Sequence, residues 1–251
     1  MDHKPRLAIL DWGIGGISVL QEIKAQRGDV PVLYLSDTGV TPYGKMSRDE
    51  LVGRLHQVIA FLQAAGATHL VIGCNAASTA IPHLQVSDFP IEGVNESAVR
   101  VTTKMRPARL ALIGGRRTVL SGVYRQAFAE RGITVAQRIA QPLSARIESG
   151  DISSDELRAQ CRRILTPIKN SSHLLLACTH YPAITNVLRE FMNQDTVFIN
   201  PAGALVEQIN GWELPTSGTD VFLTTGGVAQ MKEAARRAFG HQIKTSSHIT
   251  I

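Results

Sequence analysis

The chain has 251 residues, 44% hydrophobic and 19% charged, with a formal net charge of +5, enough for one large domain or two small ones. Its paired arginines are scattered without interleaved aromatic residues, which argues against a nucleic-acid groove. Three cysteines form neither a disulfide framework nor a C-x-x-C pair, no stretch approaches the roughly 18 apolar residues of a membrane span, and residues 1–6 carry no apolar signal segment. The expectation is therefore a cytoplasmic protein with no membrane or nucleic-acid partner.

Short apolar runs alternate along the chain with longer helical patterns. Residues 7–10 predict the first strand, followed by a helix over 18–26 and a second strand over 32–35. Ser47-x-x-Glu50 is a capping box, and Leu51, Leu55, Val58, Ile59 and Leu62 then recur at helical spacing up to Gly66. A strand over 70–73 follows. Arg106-Pro107 punctuates the chain before the strand at 110–113. A helix is predicted over 119–131. Ser153-x-x-Glu156 reads as a second capping box, opening a helix whose apolar face holds Leu157, Cys161, Ile164 and Leu165. Cys161 is thereby read as a core residue. Strands at 174–177, 197–199 and 221–224 and helices over 182–192 and 228–239 complete the pattern. Continuous apolar runs, rather than in/out alternation, predict strands buried on both faces: parallel sheets covered by helices.

Two of these strands repeat. His69-Leu70-Val71-Ile72-Gly73-Cys74 lines up with His173-Leu174-Leu175-Leu176-Ala177-Cys178 (178 − 74 = 104), and Leu7-Ala8-Ile9-Leu10 with Leu110-Ala111-Leu112-Ile113 (110 − 7 = 103). The near-constant offset predicts a duplicated fold of two lobes, residues 1–98 with 208–251 and residues 99–207. It would set two thiols on opposite sides of one cleft. Each thiol sits where a strand gives way to a helix, where N–H groups and the helix dipole lower a cysteine's pKa from about 8.5. His180, two residues beyond Cys178, can polarise a thiol or a substrate group. Asp11, in the Gly-rich turn 11–16, and the turn-rich loop 37–44 follow the first two strands, at the carboxyl ends where open parallel sheets bind ligands. No metal-ligand cluster is evident.

Together these segments resemble the glutamate racemases of the cofactor-independent aspartate/glutamate racemase superfamily, whose motifs D-S-G-[IV]-G-G, D-T-x-x-x-P-Y-G, C-N-T-A-S and C-T-H-[FY]-P occur in this order. Here they stand at residues 11–16, 37–44, 74–78 and 178–182. Residues 146–150, 113–124 and 223–226 match other family segments more weakly. The resemblance implies two flavodoxin-like α/β lobes with parallel sheets, related by pseudo-twofold duplication, with the active site between them. It implies Cys74 and Cys178 as the acid/base pair, Asp11, His180 and Glu148 as their helpers, and Asn75, Thr179, Thr118 and the Pro42-Tyr43-Gly44 backbone as substrate contacts. The substrate class is a small acidic amino acid, with a role in peptidoglycan biosynthesis; a homodimer is compatible, and neither pyridoxal phosphate nor a metal is implied. Trp12 and Ala76 depart from the family's Ser and Thr at substrate-facing positions and remove two hydroxyls. Three readings follow: a glutamate racemase, a racemase shifted toward aspartate, or a weakly catalytic homologue that binds an acidic ligand or a partner protein.

Overall fold

Strand cores in this chain are apolar on both faces, and the computed structural model, described over residues 4–85 and 89–251, stacks them side by side in parallel sheets. The lead-in at residues 1–3, read above as free of a signal segment, lies outside the described residues. The first half runs β1 (Arg6–Asp11), α1 (Ile17–Arg27), β2 (Val32–Ser36), α2 (Arg48–Ala64), β3 (Ala67–Ile72), α3 (Asn75–Ser78), β4 (Ile91–Gly93) and α4 (Val94–Met105). The second runs β5 (Leu110–Gly114), α5 (Arg116–Leu120), α6 (Val123–Ala129), β6 (Val135–Ile139), α7 (Gln141–Glu148), α8 (Asp155–Leu165), β7 (His173–Ala177), α9 (Thr185–Arg189), β8 (Val197–Ile199) and α10 (Ala202–Gln208). The chain then adds β9 (Val221–Thr224), α11 (Val228–Phe239) and β10 (Ser247–His248).

One sheet has the order β10-β9-β2-β1-β3-β4 and the other β6-β5-β7-β8. The segment β2-β1-β3-β4 thus has the same topology as the whole second sheet. The match extends to register: Leu7 pairs with Val32 and His69, and Leu110 with Val135 and His173. β9 joins the first sheet beside β2. One buried cluster includes Ile9 and Val71 of the first sheet together with Ile113 and Leu176 of the second.

Helix boundaries differ from the sequence expectation at three places. The second capping box does not form: Ser154, not Ser153, caps α8, its hydroxyl accepting from the Leu157 N–H. Glu156 turns instead to Arg146 and Gln160. The helix expected over 119–131 is two short ones, because Gly122 between them takes φ +75°, a left-handed conformation that interrupts the helix. The helix expected over 182–192 is a 3-10 turn, Tyr181–Ile184, followed by α9. Cys161 is fully buried, and its thiol is pushed up to about 12, chiefly by that burial.

Candidate active site

The carboxyl ends of the strands from both sheets converge on one cavity of about 480 Å³. It is lined by Asp11, Trp12, Pro42, Tyr43, Gly44, Cys74, Asn75 and Ala76 on one side, and by Thr118, Glu148, Cys178, Thr179 and His180 on the other. Every site residue expected from the sequence therefore reaches the same space.

The Gly-rich turn makes this convergence sterically feasible. A Cβ at Gly13 would lie 2.2 Å from Glu148 Oε2, and one at Gly15 would lie 2.5 Å from Thr179 Oγ1 and 2.6 Å from His180 Nδ1. Any larger residue at either place would displace side chains arriving from the second sheet. Asp11 organises the turn from within, accepting from the Trp12 N–H at 2.8 Å and the Gly16 N–H at 2.7 Å. The opposite wall is held by Glu148, whose Oε2 accepts from the Ile14 N–H at 3.0 Å.

The two thiols have different neighbours. Cys178 Sγ lies 3.7 Å from His180 Nδ1, and His180 Nε2 lies 2.6 Å from Glu148 Oε2. Burial opposes a charged imidazole here, but the hydrogen bonds to Cys178 and Glu148 outweigh it and raise its pKa well above the ordinary value. Cys74 follows β3 and lies within the electrostatic reach of Asp11. Burial, and then the Asp11 charge, push the Cys74 thiol well up; the Ala77 N–H and the Cys178 charge also bear on it. This corrects the expectation that a helix start would lower it. α3 is four residues long, and its weak field loses to desolvation. Burial also raises the Asp11 carboxyl, against the attraction of His180.

The loop after β2 is fixed by a buried ion pair. Arg54 Nε and Nη2 donate to Asp37 at 2.9 and 2.6 Å, while Tyr43 and Thr225 donate hydroxyl protons to the same carboxylate. The Trp12 indole N–H donates to the Val40 carbonyl at 3.2 Å, and the side chain packs on the first sheet's outer cluster. Trp12 thus offers the cavity a ring rather than a donor, and Ala76 adds a methyl group.

Lys45, Gln141 and Ser144 also line the cavity and escaped the sequence reading. Gln141 follows β6, whose pattern Val135-Ala136-Gln137-Arg138-Ile139 is too polar to register as an apolar run. The carboxyl-end rule would have found it had that strand been recognised. Among the described residues no group of three or more His, Cys, Asp or Glu side chains can hold a metal ion.

Residues 16–209 match the family model described as Asp/Glu/Hydantoin racemase. A glutamate racemase of Pseudomonas aeruginosa is 32% identical over 81% of this chain and 79% of its own length. One of Bacillus cereus is 29% identical over 97% of this chain and 96% of its own. The crystal structure of glutamate racemase isoform RacE1 from Bacillus anthracis superposes with a TM-score of 0.89 at 25% identity, covering 100% of this chain and 99% of that one.

Proposed function

Because the chain belongs to the Asp/Glu/Hydantoin racemase family, we propose that it interconverts L- and D-glutamate by proton transfer between two cysteines. The observation that carries this reading is the placement of Cys74 and Cys178 in one cavity, each beside its own acid/base partner. In this reading the cavity lies between two lobes, residues 1–98 with 208–251 and residues 99–207. Glutamate is favoured over aspartate by the relatives, which are glutamate racemases over nearly the whole chain.

The chemistry follows from the electrostatics. In this reading Cys178, 3.7 Å from a His180 imidazole that Glu148 holds, acts first as the base, while Cys74, pushed up by burial and by Asp11, acts as the acid. The Cys178 thiolate removes the α-hydrogen from one face of the substrate, and the Cys74 thiol delivers its proton to the other. The net result is inversion, with Cys178 left as the thiol and Cys74 as the thiolate. The opposite enantiomer is processed from that second state. The charge that builds on the α-carboxylate is met by donors already in place, the Thr179 and Thr118 hydroxyls and the N–H groups opening α3. Asn75 supplies an acceptor for the α-ammonium: its Oδ1 is buried without a partner among the described residues.

Among the described residues no helix is long and apolar enough to cross a membrane. We place the activity in the cytoplasm, supplying D-glutamate for peptidoglycan. The test is α-deuterium incorporation in D₂O, followed by NMR across a panel of free amino acids. Exchange with glutamate and not aspartate supports the reading; exchange with aspartate alone shifts the substrate. No exchange with any amino acid leaves a ligand-binding homologue.

A further inference from the structure

Behind the cavity wall lies a closed polar cluster that the proton transfer itself does not use. Asn75 Nδ2 donates to Asn95 Oδ1 at 2.9 Å and to the Tyr124 hydroxyl at 2.8 Å. Tyr124 passes its own proton to Asn95 Oδ1 at 3.0 Å, and Asn95 Nδ2 donates to the Asn75 carbonyl at 3.1 Å. All three side chains are buried. They come from three elements: the start of α3, the start of α4, and α6, whose Tyr124 is packed among Leu110, Leu112 and Leu175 of the second sheet.

Proton counting settles which way the Asn75 amide faces. An amide has two donors and one acceptor oxygen, and its orientation is decided by the partners it meets. Both Nδ2 protons of Asn75 are consumed by Asn95 and Tyr124. A flipped amide would set Oδ1 against Asn95 Oδ1, acceptor against acceptor. Oδ1 is therefore held away from the cluster, without a partner among the described residues.

We propose that Asn95 and Tyr124 are positioning residues, which lock the Asn75 amide so that its oxygen, not its NH₂, is reserved for the substrate's α-ammonium. This rests on the amino-acid racemase reading and deepens it. It makes the amino group a recognition element, and it makes that recognition depend on α6, an element of the second sheet's layer.

The test uses Tyr124→Phe, which removes one partner from the amide while keeping the ring. Racemisation kinetics are measured in both directions, together with competitive inhibition by glutarate, which has both carboxylates and no ammonium. The expected result is a KM for D- and L-glutamate raised roughly tenfold with kcat within about twofold, because an interaction made equally in ground and transition states is weakened. The glutarate inhibition constant should stay unchanged. An unchanged KM overturns the proposal, and so does an equal loss of glutamate and glutarate, which would mark a structural role only. Should Tyr124→Phe fail to fold, Asn95→Leu, of similar size and without an acceptor, must give the same split. If the wild type does not racemise glutamate, the functional reading fails and this one does not. It is then decided by calorimetric titration of D-glutamate and glutarate into the wild type and the variant, where the absence of an ammonium-dependent difference overturns it.

Discussion

Cys74 and Cys178 occupy matching places in a duplicated fold but meet unlike chemistry: a carboxylate beside one, an imidazole beside the other. That asymmetry gives His180 a measurable signature. Its folded-state pKa lies well above the ordinary 6.5, since the hydrogen bonds to Cys178 and Glu148 outweigh burial. Folding therefore takes up a proton at this site. The stabilisation is complete below the unfolded value and is lost as pH rises through the folded one. Denaturation of the wild type and His180→Gln across pH should show their stability gap closing on the alkaline side; a gap that widens with pH contradicts the assignment. The same substitution should lower kcat by roughly 10²–10⁴-fold, the usual contribution of a positioned acid/base group, in a racemisation assay. The placement of these residues on one cavity was legible because the two cysteines and the aspartate end apolar runs, with His180 two residues beyond Cys178. The elevation of the Cys74 thiol was not, because depth of burial is a property of the folded surroundings rather than of the motif.

Elements were read best where one pattern dominates. The strands at 7–10, 110–113 and 174–177 are apolar on both faces and were unambiguous, whereas β4, β6 and β10 are short, polar or at a sheet edge and left no periodic signal. The start of α8 shows why spacing alone misleads. Both Ser153 and Ser154 precede the apolar stripe, but Asp151 accepts from the Ser154 hydroxyl and N–H and thereby orients that side chain as the cap. Ser154→Ala is expected to destabilise the protein by about 1 kcal/mol, as cap removal does, and Ser153→Ala by much less. Urea denaturation of the two variants separates them, and the opposite order would restore the Ser153 cap.

At the scale of the molecule, the walls of the cavity depend on contacts far from the thiols. Arg54 is buried against Asp37, and its Nη1 also donates to the Ile251 carbonyl at 2.8 Å, so the end of the described chain is tied to the loop that carries Tyr43. Arg54→Met leaves Asp37 a buried charge without its counterion. It should cost about 3–5 kcal/mol in a denaturant titration, where a change below about 1 kcal/mol would show that the pair is dispensable. The two-layer duplication was visible in the 103- and 104-residue offsets, but the shared core between the sheets was not, since no local pattern records which faces meet. In the proposed reaction the whole arrangement serves a pair of bases on opposite faces of one carbon, and isotope placement tests that most directly. With L-glutamate and the wild type in D₂O, D-glutamate formed at early times should carry deuterium at the α-carbon while the remaining L-glutamate keeps its protium. Cys74→Ala and Cys178→Ala should each abolish inversion in both directions. Racemisation that survives in either single-cysteine variant, or deuterium that enters the unreacted L-glutamate as fast as the product, would contradict the two-thiol account.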